Sequence, residues 1–545
     1  MIIDKIRAAA GYAGIAPHAL HGLIRAGLVT PIRPDRVLRM LAGLTRSGLT
    51  AAAGSALGAA QHPYRAAVID DAGELTFAEL EADSTAVAGA LRETHGVGPG
   101  RTVGVLCRNH RWFVLAVLAA SRLGANLVLL NTESAAPQLA AVLERERVDV
   151  LVADEEFGER IDAAGFAGPL VWGWCDGDPA GNSLQSLAET GGVAAPPPLP
   201  RPPRQGKVVI MTSGTTGTPK GAPRQPAPAA LLGPMASMLT RVPVRSGEPM
   251  LVAPPAFHAL GFGYLLVGLF VGTPLILQRT FDPAETVDGL RRHRAGSLIA
   301  VPVMLARILD LPPDRRRPVP SLRAVVSSGS ALSPSLATAF MDAFGDVLHN
   351  LYGSSEIAWA SLATPAELRS APGTVGRPPH GTTVRILDPD GAEPPAGQTG
   401  RIFVGSGLAF EGYTGGGTKE TVRGLMATGD LGHVDERGLL FVDGRDDDMI
   451  VSGGENVFPQ EVEDCLGDHP AVAEVAVIGI PDERFGQRLA AYVVLRSGAA
   501  ATVDDLKDHV RANLARFKVP RDVEFVDALP RNVTGKVLRT QLRAR

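Results

Sequence analysis

Nine consecutive residues, Ser213-Gly214-Thr215-Thr216-Gly217-Thr218-Pro219-Lys220-Gly221, bring together three glycines, four hydroxyls and one lysine with almost no side-chain bulk. Small residues let backbone N–H groups close around an anion, and hydroxyls and an ammonium add further donors. That is the chemistry of a loop that holds phosphate. It is not a Walker A loop, because no Gly-Lys-Ser/Thr ending follows a glycine and four further residues. A flexible Ser/Thr/Gly turn has the same composition, so the rest of the chain must decide between the two.

The elements that would carry such a loop are readable. Lys207-Val208-Val209-Ile210-Met211-Thr212, just before it, is a short apolar and β-branched run that predicts a strand. From Ala66 onward strands and helices alternate: strands over 102–106, 125–130 and 148–152, helices over 113–123 and 138–146. This rhythm predicts a parallel or mixed sheet covered by helices. Residues 194–204 hold six prolines and read as a stiff exposed connector into the loop; residues 312–320, rich in Pro and Arg, read as a solvated loop.

At 545 residues the chain needs two or more domains. Its 45% hydrophobic and 20% charged residues describe a globular protein, and a net charge of −4 gives no support to nucleic-acid binding. Cys107, Cys175 and Cys465 are few and far apart, which suggests neither a disulfide framework nor a zinc site and fits a reducing, cytoplasmic setting. Residues 259–277 carry no charge, but five Gly and Pro residues divide them into a buried helix and a strand at 274–277. Residues 1–60 are different, with seven Lys or Arg against two acids and apolar residues at roughly helical spacing. Such a basic amphipathic extension either lies peripherally on an anionic membrane surface or packs as a helix on the protein's own core.

The nine-residue string resembles the phosphate loop of the adenylate-forming superfamily, which includes acyl-CoA synthetases and peptide-synthetase adenylation domains. Further motifs follow in that family's order. Tyr352-Gly353-Ser354-Ser355-Glu356 is similar to its Tyr-Gly-x-Thr-Glu motif, with Ser355 where threonine is usual. The resemblance implies that Glu356 holds Mg²⁺, Ser355 touches the α-phosphate and Tyr352 flanks adenine. One carboxylate beside nucleotide phosphates is a common way to hold Mg²⁺, since the ion keeps waters and phosphate oxygens. Ser327-Ser328-Gly329-Ser330-Ala331-Leu332 resembles the segment lining the adenine and acyl pockets, departing from it at Ser330 and Ala331. Thr428-Gly429-Asp430 and Gly444-Arg445 correspond to the ribose end, where a carboxylate with a cation nearby can accept from both sugar hydroxyls. Alone, Thr-Gly-Asp would read as a turn. Pro530 to Arg539 resembles the C-terminal Pro-x-x-x-x-Gly-Lys segment whose lysine, here Lys536, bridges the carboxylate and the α-phosphate.

The resemblance implies an α/β and α+β fold. A large N-terminal domain of mixed sheets covered by helices spans 61–443, a hinge 444–448 is centred on Asp447, and a small mobile α+β domain 449–545 carries the catalytic lysine. The ATP-binding residues implied are Thr212, Ser213, Gly214, Thr215, Thr216, Gly217, Lys220, Ser330, Tyr352, Asp430 and Arg445. Lys536, Glu356 and Ser355 are the catalytic set, with Glu356 as the metal ligand, and Ser452, Gly453 and Gly454 line the passage for the CoA arm. ATP, Mg²⁺ and CoA are the implied cofactors. In Pro255-Ala256-Phe257-His258-Ala259-Leu260-Gly261-Phe262, the Phe-His pair resembles the border of the acyl pocket, and Phe262 stands where fatty acyl-CoA synthetases place an aromatic gate. His258, Phe262 and Gly329 are then acyl-pocket residues, His258 as wall and not as base. Neighbouring glycines and the absence of charge favour a medium- or long-chain fatty acid. Aryl-CoA ligases, and acyl-AMP ligases that donate to a carrier protein, are the alternatives.

Overall fold

A computed structural model describes residues 21–28, 34–48, 50–177, 181–191, 199, 201–212, 220–225, 228–446, 448–452, 455–482, 486–532 and 535–543. Seven residues of the phosphate-loop string, Ser213, Gly214, Thr215, Thr216, Gly217, Thr218 and Pro219, lie outside the described residues, as do Asp447, Gly453, Gly454 and most of the 194–204 connector.

Strands and helices alternate as the pattern requires. Strand Thr102–Leu106 is buried along its whole length, because helices cover both faces of a parallel sheet. It lies between Val150–Ala153 and Asn126–Leu129, and the sheet continues to Leu170–Trp172 on one side and Val208–Thr212 on the other, all parallel. Lys220–Arg224 closes the edge antiparallel to Val208–Thr212, with Thr212 opposite Lys220.

A second sheet has eight strands, in the order 358–363, 348–354, 324–327, 297–300, 250–252, 275–277, 66–70 and 73–76. Its six central strands are parallel and its two edges antiparallel. A third sheet, strands 374–376, 440–445, 425–434, 400–406 and 382–387, is antiparallel throughout. The fourth begins at Ile450–Ser452 and is built from later residues only, with Glu455–Val457, Val472–Asp482, Gly486–Leu495 and Asp522–Phe525. Val462 and Leu466 of helix Pro459–Gly467 and Leu506 and Val510 of helix Val503–Asn513 pack on one of its faces. The architecture is thus α/β with a separate α+β portion at the C-terminal end, as expected.

Local signals set the helix ends. Helix Phe77–His95 opens on a capping box in which Thr76 Oγ1 accepts from Glu79 N–H and Glu79 Oε2 accepts from Thr76 N–H at 2.8 Å. Helix Arg111–Leu123 is capped by His110, whose Nδ1 accepts from Phe113 N–H at 3.4 Å while Nε2 lies 2.9 Å from the buried Asp154 carboxylate. The second contact fixes the tautomer with the proton on Nε2.

Thr428-Gly429-Asp430, placed by the motif order at the ribose end, lies in the middle of strand Leu425–Val434, with Gly429 at φ +85°, where a side chain would be strained. Of the two alternatives for the N-terminal extension, the residues nearest its end take the packed one. Helix Ala51–Gln61 is largely buried, Gly58 lies flat against the Phe77 ring, and Arg36 of helix Pro34–Ser47 donates to Gln61 C=O at 2.7 Å. For these residues the packed-helix alternative holds. Among the described residues no helix is long and apolar enough to cross a membrane, and 259–277 divides into helix Ala259–Val271 and strand Leu275–Leu277.

Candidate active site

One cavity of about 1970 Å³ runs between the first three sheets and the C-terminal portion. The C-terminal ends of parallel strands 324–327 and 348–354 feed it with the 327–332 loop and residues 350–356, the position at which open α/β sheets place ligands. Gly329, at φ +92°, turns the first of these loops so that Gly329 and Ser330 face the cavity.

Tyr352, Asp430 and Arg445 come together from two sheets. Tyr352 O–H donates to Asp430 Oδ2 at 2.6 Å, and Arg445 Nη1 stands 3.4 Å from Asp430 Oδ1. Strand pairing puts Asp430 directly opposite Arg445, so the third sheet itself holds the pair. Burial, reinforced by the neighbouring Asp430 carboxylate, pushes the Tyr352 hydroxyl well above its usual range. Burial also raises the Asp430 carboxyl, against the Tyr352 bond and the charges of Arg445, Lys419 and Lys536. The result is a carboxylate held by one hydroxyl and facing three cations, with lone pairs left for a diol.

Glu356 is oriented on both oxygens. Tyr413 O–H donates to Oε1 at 2.9 Å and Ser354 Oγ donates to Oε2 at 2.8 Å. The Lys220 ammonium sits 5.3 Å from the centre of the Tyr413 ring, which brings the end of the phosphate-loop connection beside this carboxylate. Arg224, on the same strand as Lys220, donates from Nη2 to Ser354 C=O at 3.3 Å and to Ser355 C=O. Burial lowers its guanidinium to about 10, opposed by Glu356. Sequence reasoning missed Tyr413, Arg224 and Lys419. Tyr413 had a signal, since it stands among Gly412, Gly415, Gly416 and Gly417, all at positive φ. Nothing in the sequence marks Arg224.

Lys536 lines the same cavity and its charge reaches Asp430. Its backbone is fixed by Asn532, which accepts Lys536 N–H at Oδ1 and donates its own N–H to Lys536 C=O, each at 2.9 Å. A bridge between Arg531 and Val537 closes the hairpin, and Gly535, at φ +78°, rests on Val303 of the large portion. Ser355 also lines the cavity, whereas Ser452 does not line it and lies in the fourth sheet, paired with Gly486. Thr212 ends strand 208–212 opposite Lys220.

The other arm of the cavity is apolar. His258 caps helix Ala259–Val271, and its Nε2 is buried without a partner. Burial lowers its pKa to about 4, so the imidazole is neutral near pH 7 and serves as wall. Ala259, Phe262, Gly263, Leu266, Val267 and Phe270 recur at i, i+3, i+4, i+7, i+8 and i+11, and all six line the cavity. One face of the helix therefore forms a wall about 16 Å long at ~1.5 Å per residue.

The chain belongs to the AMP-binding enzyme family. Residues 56–414 match the AMP-binding enzyme model and residues 461–536 match the AMP-binding enzyme C-terminal domain. A feruloyl-CoA synthase from Amycolatopsis sp is 34% identical over 89% of this chain and 96% of its own. A fatty acid–[acyl-carrier-protein] ligase from Streptomyces coeruleorubidus is 31% identical over 89% and 94%. The o-succinylbenzoate CoA synthetase of Bacillus subtilis, solved with its acyl-adenylate intermediate, superimposes with a TM-score of 0.77 at 28% identity, covering 90% of this chain and 97% of that one. The class is that of AMP-forming acid–thiol ligases, whose cofactors are ATP, Mg²⁺ and CoA.

Proposed function

We propose that the protein is an AMP-forming acyl-CoA ligase whose acid has an extended apolar body, a medium- or long-chain fatty acid. The observation that carries this reading is the apolar helix face, Ala259 to Phe270, which lines the same cavity as Tyr352, Glu356 and Asp430. An uncharged wall of that length suits a chain that needs no polar partner.

In the first half-reaction a carboxylate oxygen attacks the α-phosphorus of ATP, the bond to the β-phosphate breaks and pyrophosphate leaves. Asp430 accepts from the ribose hydroxyls, with Arg445 beside it, and Tyr352 and Ser330 border the adenine. Ser355 and Lys536 donate to the oxygens that gain charge as the phosphorus becomes five-coordinate. Lys220, Thr212 and the loop residues 213–217 hold the leaving phosphates. Glu356 fits a single-carboxylate Mg²⁺ site, because Tyr413 and Ser354 orient its two oxygens and leave lone pairs for a metal. The bound ion would neutralise charge on the departing pyrophosphate. In the second half-reaction a thiol sulfur attacks the acyl carbon, the proton passes to solvent and AMP leaves. This step uses the Ser452, Gly453 and Gly454 passage, reached by a turn about Asp447.

A second reading, an aryl-acid CoA ligase, is favoured by the feruloyl-CoA synthase similarity. Pyrophosphate release over a panel of fatty acids and of benzoic and cinnamic acids separates the two. A kcat/KM that rises with chain length and exceeds that for every aromatic acid supports the fatty-acid reading; the reverse order replaces it.

A further inference from the structure

Residues 48–51 precede the start of the family match at residue 56, and the reaction gives them no part. Yet Gly48, Thr50 and Ala51 line the cavity that also holds Tyr352 and Lys536. The helix that Ala51 begins is firmly placed. Ala52 N–H donates to Ser121 Oγ at 3.3 Å, and Ala52 and Ala53 are fully buried. At Gly54 a single added carbon would stand 3.0 Å from Leu269 Cβ and 3.3 Å from Phe270 N, so the two helices touch backbone to backbone. Phe270 is the last cavity-lining residue on the apolar helix face. The apolar wall that starts at Ala259 therefore ends against the first turn of helix Ala51–Gln61. Val117 and Ser121 of helix Arg111–Leu123 line the cavity at the same place.

We propose that Thr50 and Ala51 form the stop that sets the length of acid the enzyme accepts. The inference rests on the ligase reading above and adds to it a specificity element from outside the matched family region. Ala51 is suited to the task because its methyl group fills little space, so any larger side chain shortens the arm. In an apolar pocket one methylene more or less changes selection roughly 10–200-fold.

The test uses the full chain and two variants, Ala51→Leu and Phe270→Ala, with pyrophosphate release measured on saturated acids from hexanoate to stearate and on benzoate, cinnamate and biphenylcarboxylate. Ala51→Leu should lower the ratio of kcat/KM for the longest over the shortest accepted acid by at least about tenfold. Phe270→Ala should move the optimum to longer acids. Unchanged ratios in both variants, or a uniform fall across the series, would overturn the proposal. If Ala51→Leu does not fold, the direction of the Phe270→Ala shift decides alone. If the wild-type enzyme takes only aromatic acids, the fatty-acid reading fails, and the stop is judged by the same ratio on the aromatic series.

Discussion

Replacing Lys536 by alanine should divide the two half-reactions. The hairpin 531–537 brings this residue to the cavity, Asn532 fixes its backbone from both sides, and its charge acts on Asp430 across the site. An ammonium placed where charge develops on phosphorus is one preorganised donor, and loss of such a donor costs about 2.7–4 kcal/mol. Coulomb's law gives a similar figure, about 4 kcal/mol for two unit charges about 4 Å apart at an effective dielectric of about 20. The rate of acyl-adenylate formation should therefore fall roughly 10²–10³-fold. Thioester formation from supplied acyl-AMP and CoA needs no charge on a five-coordinate phosphorus and should keep its rate within about threefold, well below the tenfold that each ~1.4 kcal/mol represents. The assay is pyrophosphate release at saturating acid and ATP for the first step, and thioester yield from synthetic acyl-AMP for the second. An equal fall in both, or a loss under tenfold in the first, would refute the assignment of Lys536 to adenylation.

Three further outcomes follow from the geometry. Tyr352→Phe removes the 2.6 Å bond to the Asp430 carboxylate, worth about 1.5–3 kcal/mol, and should raise KM for ATP about 10–100-fold; an unchanged KM would detach the pair from nucleotide binding. His258 titrates at 6.5 in a solvated chain and at about 4 in the fold. Between these values the unfolded chain binds a proton that the folded one refuses, so His258 costs stability progressively as pH falls from 6.5 to 4 and has no effect above. The full effect is about 3 kcal/mol, and denaturant titrations of His258→Gln across that window should show a correspondingly flatter pH dependence. Gly58→Ala puts a methyl into the Phe77 ring and should destabilise by about 1–3 kcal/mol in thermal melts; an unchanged midpoint would contradict the packing of helix Ala51–Gln61 in the core.

The parts of this site that the sequence discloses are those whose chemistry is local. The Tyr352–Glu356 segment and the Lys536 segment each stand out by glycine, hydroxyl and charge within a few residues, and both line the cavity, whereas residues 213–219 of the phosphate-loop string lie outside the described residues. Strand 102–106 and helix 259–271 are equally open to reading, because continuous apolar runs bounded by Gly and Pro have few other uses. What escapes is pairing at long range. Arg224 reaches Ser354 and Ser355 across about 130 residues of chain, and Tyr413 reaches Glu356 across 57. Arg224 comes from the first sheet, Ser354 from the second, and Tyr413 from the connection after strand 400–406 of the third, so only the packing of the three sheets makes those contacts. For Thr428–Asp430 the motif order, and not the turn-like composition, gave the reading; the pairing of Asp430 with Arg445, which sets the geometry there, is again long-range. The N-terminal composition left a surface segment and a packed helix as alternatives, and small residues at 51–60 let that part of the chain pack into the core beside Leu269 and Phe77.

The central claim is that one cavity activates an acid as its adenylate and then passes it to a thiol. Product analysis after incubation with ATP, Mg²⁺, CoA and the best acid of the panel tests it most directly. The account predicts AMP, pyrophosphate and acyl-CoA in equal amounts, with acyl-AMP accumulating when CoA is withheld. ADP in place of AMP, or acyl-AMP that persists with CoA present, would contradict it.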